Sequence, residues 1–328
     1  MSPFIHVLIL NWRSPEMTLR AMEATLAEME GLDGFVTLLD NDSQDGSFER
    51  LLTATFDLPR VRVVQTGHNG GFGAGNNHGI LTPLPSRPKV DYWYIQNSDS
   101  FPKPGAIRTL VKYLEAQPRV GIAGSQLVDE EGVPQQTQFR FPSILSELEG
   151  AARTGPISRL LSRHAVPFPL LREDQPVDWL AGASMLIRAS LLESIGLFDE
   201  RFFLYFEETD LCRRARLAGF ETHFVKASVV THGGSVSTGM QEWTRVPEYW
   251  FDSRLHYFAK NHGPLYAAGA TAAHVAGGLI HRLRCLVTGK APADPPGFLR
   301  HLIRHDLSAL LPAAARERRN AKNVPAHR

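Results

Sequence analysis

Cysteine is nearly absent: Cys212 and Cys285 are the only two in 328 residues. Two thiols cannot build a disulfide framework or a zinc site by themselves, so a reducing cytosol is the expected setting. Long apolar runs are missing as well. The first, FIHVLIL, has the length of a strand and leads at once into polar NWRSPE. An export leader is therefore not expected. The Ala-rich YAAGATAAHVAGGLI is interrupted by His274 and too short to span a bilayer, which leaves a core or interfacial helix. Nor is there a charge excess: 35 Lys and Arg face 34 Asp and Glu, and no nucleic-acid partner is expected.

What is present describes a globular chain, 43% apolar and 21% charged, large enough for one large domain or two small ones. The net charge of +1 hides an asymmetry. Residues 281–328 carry ten Lys or Arg against three acids, a net +7, so the preceding 280 residues carry −6. Such a tail is either a solvated helix or a partner for a polyanion or an anionic membrane surface, the last of which would place a cytoplasmic protein peripherally at the inner face of the membrane.

Strands and helices alternate along the first part of the chain. FIHVLILNW reads as a buried strand. Ser14 and Pro15 then open a helix with Leu19, Met22, Leu26 and Met29 on one face. FVTLLDND, VRVVQT and VDYWYIQNSD read as further strands, and a helix is predicted over about 105–117. This order implies an α/β fold with a mostly parallel, Rossmann-like sheet and helices on both faces. Ligands of such sheets bind beyond the carboxyl ends of the strands. Three strands end there in polar side chains: Asn11, Asp40 with Asn41, and Asn97-Ser98-Asp99. From 129 to 178 the pattern fades into what reads as a functional loop or mobile flap. Helix is predicted again from Trp243 onward.

The stretch NGGFGAGNNHGI, residues 69–80, packs five glycines and three asparagines into twelve positions. A dinucleotide-binding G-x-G-x-x-G fails from either Gly71 or Gly73, because Asn76 and His78 stand where the last glycine belongs. Asp40 and Asp99 are each compatible with a plain turn, but together they point to a shared crevice. Glu207, Glu208 and Asp210 open a predicted helix, where acids complement the helix dipole. Beside a crevice, and behind the apolar FFLYF, a carboxylate there is equally placed to act as a base. His232 ends a strand and is followed by GGS, a flexible stretch suited to wrapping a diphosphate.

VLILNW, LLDNDSQDGS, NGGFGAGNNHGI, YIQNSDS, DWLAGASMLIR, GLFDERFFLYFEETDLCRRARLAGF and THGGS, taken in that order, resemble bacterial family 2 glycosyltransferases of the GT-A fold. The rhamnosyltransferase-like branch that builds cell-surface polysaccharides is the nearest in pattern. The resemblance covers about residues 4–240. It implies a GT-A domain over 1–242, with a nucleotide-sugar half (1–100) and an acceptor half (101–242), followed by a helical basic extension over 243–328.

The resemblance also implies roles. Asn11, Asp40, Asn41, Gly71, Asn76, Asn77 and Asp99 would bind the nucleotide sugar, with glycines allowing it close to the backbone. Trp179, Gly182 and Glu207 would line the donor and acceptor wall, Glu208 would be the catalytic base, and Asp99 with His232 would hold Mg²⁺ or Mn²⁺. Two departures stand out. The D-x-D metal motif reads Asn97-Ser98-Asp99, leaving one carboxylate, and the usual Glu-Asp pair is Glu207-Glu208. The implied reaction is inverting transfer from a nucleoside-diphosphate donor, dTDP-L-rhamnose favoured, to a hydroxyl of a glycan or lipid-linked oligosaccharide. A sugar-phosphate nucleotidyltransferase is the main alternative, but it should carry a glycine-rich loop after the first strand, which NWRSPEMTLR lacks. A non-catalytic nucleotide-sugar-binding protein would keep the crevice and lose the base.

Overall fold

The computed structural model describes residues 2–84, 89–233 and 244–309. The first elements are β1 (Phe4–Asn11), α1 (Pro15–Glu28), β2 (Asp33–Asp40), α2 (Ser47–Thr55), β3 (Val61–Gln65), α3 (Gly71–Leu81), β4 (Tyr92–Asn97) and β5 (Ser100–Pro102). There follow α4 (Ala106–Ala116), β6 (Val120–Val128), β7 (Gln138–Phe139), α5 (Ile144–Ala152), α6 (Gly155–Leu160), β8 (Gln175–Val177), β9 (Trp179–Leu180) and β10 (Ser184–Arg188). The chain continues through α7 (Ala189–Ile195), α8 (Glu207–Leu217), β11 (Glu221–His232), α9 (Glu248–His262), α10 (Pro264–Thr288) and α11 (Phe298–Ala309). It divides into two compact units, one of 1–141 with 167–241 and the other of 142–166 with 242–328.

The first unit is built on one sheet in the order β3-β2-β1-β4-β10-β6-β11-β5, with β8 also paired to β11. The ladders of β1 with β2 and β4, of β2 with β3 and of β6 with β11 are parallel. Strand β10 runs antiparallel between β4 and β6. Parallel strands covered on both faces read as unbroken apolar runs, and β1 is buried along nearly its whole length. Its side chains alternate between two cores: Ile5, Val7 and Ile9 join one cluster and Leu8 the other. Helix α4 shows why the helices close over the sheet. Ile107, Leu110, Val111 and Leu114 recur at helical spacing and are all buried. Burial of four such side chains contributes roughly 6–12 kcal/mol before chain entropy is subtracted.

Two expectations about local structure change. Ser14 occupies the N-cap of α1, but its side chain makes no capping bond. The Asn11 carboxamide oxygen takes the Ser14 amide instead, at 3.3 Å. The segment 129–178, which reads as a loop or flap, carries β7, α5, α6 and β8. Helix α5 is started by a capping box in which Ser143 accepts from the Ser146 amide at 3.2 Å and Ser146 accepts from the Ser143 amide at 2.7 Å. Serine replaces the usual Glu or Gln at the third position, so the signature is hidden in the sequence.

The second unit is helical. Gly277 of α10 lies against α5 so closely that a Cβ there would sit 2.6 Å from the Leu148 carbonyl oxygen. Gly277, and Gly278 against Leu299 of α11, thus let neighbouring helices approach closely. No helix among the described residues is long and apolar enough to cross a membrane.

Candidate active site

Asn11, Asp40 and Asn41 end β1 and β2 side by side. All three are buried and their polar atoms are largely spent within the protein. The Asp40 carboxylate accepts from Asn11 Nδ2 at 2.7 Å, Ser43 Oγ at 2.5 Å and the Ser43 amide at 3.1 Å. Asn11 Oδ1 takes Thr18 Oγ1 at 2.8 Å. Asn41 Nδ2 donates to Asn69 Oδ1 at 2.9 Å and to the Gly71 carbonyl at 3.3 Å. These residues shape the crevice by locking its loops.

The glycines of α3 make room chiefly for the protein itself. Gly71 has φ +88°, and a Cβ on it would fall 1.7 Å from the Phe203 carbonyl oxygen. That oxygen accepts the Phe72 amide at 3.0 Å. Gly75 and Gly79 lie against Leu10 and Leu39 of the sheet. Asn77 ties α3 to the chain before α8, donating to the Phe198 carbonyl and Glu200 and accepting the Phe198 amide. Asn76 donates to the Phe72 carbonyl at 2.9 Å, while its buried Oδ1 has no partner. The close approach that the glycine pattern announces is therefore, at Gly71, Gly75 and Gly79, chain against chain.

The approach to α8 is backbone-strained: Tyr205 and Phe206 have φ of 69° and 70°, a region non-glycine residues seldom adopt. It sets Glu207 and Glu208 in the first turn of α8. Oε2 of each is buried without a hydrogen-bond partner. Burial pushes the Glu207 carboxyl well above the usual carboxylate range, and the neighbouring Glu208 charge pushes it further. Burial also raises Glu208, opposed by hydrogen bonding to its own backbone and to that of Gly182. Asp210, in the same turn, is fully buried yet ion-paired to Arg214 at 2.8 Å. Glu207 and Glu208, unlike Asp210, each keep a buried carboxylate oxygen without a hydrogen-bond partner.

Residues 179–184 link this turn to the end of β4. A Cβ on Gly182 would lie 3.6 Å from Glu208 Oε1 and 3.0 Å from the Phe72 ring, so glycine keeps that wall open. The Ala183 carbonyl accepts the Asn97 amide at 3.3 Å. Trp179 stacks on Phe139 at 4.2 Å and donates from Nε1 to the Arg140 carbonyl. Beyond Asn97, Asp99 Oδ1 lies 3.4 Å from His232 Nε2, because β11 pairs with β5 and puts His232 opposite Ser100. One carboxylate and one imidazole suit Mg²⁺ or Mn²⁺. Among the described residues no third His, Cys, Asp or Glu completes a cluster. The donor set fits a sparse site in which water and ligand oxygens fill the remaining positions. Gly234 and Ser235 of the expected diphosphate-wrapping stretch lie outside the described residues.

Asn69, Phe72 and Phe203 were not singled out from the sequence. Asn69 opens the glycine stretch and organises its entry, accepting from Asn41 and from the Gly71 amide. Its place at the head of that stretch was the available signal. Phe203 gave none, since its part is played by a backbone carbonyl.

The profile of the glycosyltransferase-like family 2 matches residues 3–251 of this chain. The chain belongs to that family. Among the relatives of this glycosyltransferase is the N-acetylglucosaminyl-diphospho-decaprenol L-rhamnosyltransferase of Mycobacterium tuberculosis. It is 32% identical over 225 residues, which are 62% of this chain and 68% of that one. Rhamnosyltransferase WbbL of Escherichia coli is 30% identical over 169 residues, 50% of this chain and 61% of that one. In fold, the glycosyltransferase is similar to GalNAc-T7 solved with UDP, GalNAc and Mn²⁺, at TM-score 0.58 and 13% identity, covering 95% of this chain and 58% of that one. The mannosyltransferase PcManGT of Pyrobaculum calidifontis, solved with GDP-Man and Mn²⁺, gives TM-score 0.52 at 13% identity, covering 98% and 84%. The sheet with its flanking helices is thus a GT-A fold.

Proposed function

We propose that the chain is an inverting rhamnosyltransferase that moves L-rhamnose from dTDP-L-rhamnose to a hydroxyl of a lipid-linked glycan, with Glu208 as the base. The observation that carries this reading is Glu208 itself: a carboxylate with one oxygen buried and unpartnered, beside an open glycine wall. Raised above the ordinary value, it is a stronger proton acceptor than an exposed glutamate. In the transfer, Glu208 takes the acceptor hydroxyl proton as the acceptor oxygen bonds to the anomeric carbon. The bond from that carbon to the diphosphate oxygen breaks, and its electron pair leaves with the nucleoside diphosphate. Burial and the neighbouring Glu208 charge both push the Glu207 carboxyl upward, which favours its neutral form and places the negative charge of the pair on Glu208. Asp99 and His232 would hold a divalent cation, Mg²⁺ or Mn²⁺, whose charge when bound neutralises the departing diphosphate. The donor and acceptor classes are supported by the names of the relatives, and the cation by the Mn²⁺ in both fold neighbours.

The test is incubation with dTDP-L-rhamnose and an N-acetylglucosaminyl-diphospho-lipid. Release of dTDP with a rhamnosylated lipid is expected. Release of pyrophosphate would indicate nucleotidyl transfer, and binding without any product would indicate a non-catalytic nucleotide-sugar protein.

A further inference from the structure

Helix α10 has two faces, and the apolar one that matters here is turned to solvent. At about 100° per residue, Ala267, Ala270, His281 and Cys285 fall on one side and are buried. Leu265, Ala272, Ala276, Leu279, Leu283 and Leu286 fall on the opposite side. Leu265 is 89% exposed, Leu283 64% and Leu286 81%. Arg282 and Arg284 stand on the two flanks of this stripe, about 100° to either side of Leu283. Helix α11 repeats the arrangement on a smaller scale, with Ile303 and Leu307 exposed beside Arg300 and Arg304. An open groove of about 830 Å³ at the end of α10 is lined by Arg282, Leu286, Lys290, Pro292 and Pro295 among others.

We propose that the exposed apolar stripe of α10 lies in the surface of an anionic lipid bilayer. A large exposed apolar stripe needs a covering partner, and its charge selects among partners. Residues 264–309 hold five Lys or Arg and two acids, Asp294 and Asp306. Both acids are engaged within the unit, Asp294 with Arg153 and Asp306 with Arg254 and His305. The exposed charge is therefore positive. A second copy would set these cations against one another, whereas an anionic bilayer takes leucines into its acyl boundary and arginines at its headgroups. A helix with this pattern lies on the membrane, in keeping with the absence of a spanning helix among the described residues. The basic residues of 310–328, part of the tail singled out in the sequence, lie outside the described residues and are not needed.

The full chain should co-sediment with phosphatidylcholine–phosphatidylglycerol vesicles at low salt and weakly with phosphatidylcholine alone. Leu283→Glu with Leu286→Glu should lower the bound fraction about tenfold or more, since both side chains enter the interface. Arg282→Gln with Arg284→Gln should lower anionic binding about fivefold per charge and flatten its salt dependence. All four residues are at the surface of α10, so circular dichroism should show unchanged folding, and release of dTDP with a water-soluble acceptor should be unchanged. Wild-type binding to neither vesicle, or binding that both double variants retain in full, would overturn the proposal. So would a wild-type dimer in sedimentation that the leucine variant dissolves with no change in vesicle binding. The readout is membrane partition, so it stands apart from the success of the donor assignment.

Discussion

Both units of the chain bury carboxylates, and they treat them in opposite ways. In the helical unit Glu147 of α5 is met by Arg254 at 2.7 Å and His274 at 2.7 Å. Burial alone would raise its pKa, but the Arg254 charge and the His274 hydrogen bond overcome that and bring it down to about 2. Arg254 is itself 1% exposed and also faces Asp306 at 3.3 Å. In the GT-A unit Glu207 and Glu208 are buried without a paired cation among the described residues, and both rise. The first arrangement satisfies charge and fixes helices; the second keeps a proton acceptor under tension. A buried acid whose counter-charge is missing is therefore a candidate for chemistry, whereas one met by buried cations serves the packing.

The largest expected effect breaks the second half of the comparison. Glu208→Gln should lower kcat by about 10²–10⁴ while leaving dTDP-sugar affinity nearly unchanged, because a base acts in the transition state. Steady-state kinetics beside calorimetric donor titration would check this, and near-normal turnover would pass the role to Glu207.

Breaking the first half comes next. Glu147→Gln removes one partner of a buried ion pair and should cost about 3 kcal/mol in urea unfolding at neutral pH. Because its folded pKa lies below the unfolded value near 4.5, the stability Glu147 contributes is fully present above that pH. It is lost as pH falls through about 2, so the gap between variant and wild type should close on acidification.

The smallest effect sharpens the contrast by reversing its sign. Glu207 has a folded pKa above 4.5, so its burial costs stability progressively as pH rises past 4.5 toward that raised value. Glu207→Gln should therefore stabilise the protein at neutral pH, by on the order of 1 kcal/mol, while lowering activity. Thermal melts at low and neutral pH would read both: a gain at neutral pH that vanishes in acid is expected, and a loss at neutral pH would contradict it.

The legibility of the sequence followed the range of each interaction. Strands β1 to β4 and helices α1 and α4 were readable because their periodicities are local and strong. Helix α5 was not, since its start depends on a serine pair and its burial on Gly277, more than a hundred residues away. The polar residues at the strand ends were read as converging, and the parallel register sets the ends of β2, β1 and β4 side by side, but their chemistry was not separable in one dimension. Asn11, Asp40 and Asn41 turned out to be engaged with the chain, whereas Asp99 and His232 were brought together by the pairing of β11 with β5.

The order of residue types along the chain determined the α/β alternation, the family and the candidate acids, because each is carried by spacing within a few turns or strands. Only the tertiary structure decided which acids keep a free oxygen and which glycines face backbone. Hydrogen-bond partners, counter-charges and close contacts come from segments far apart in sequence: Phe203 against Gly71, Gly182 against Glu208, Arg254 against Glu147. Burial without a partner is a property of the packed neighbourhood, and the chain written out as letters does not contain it.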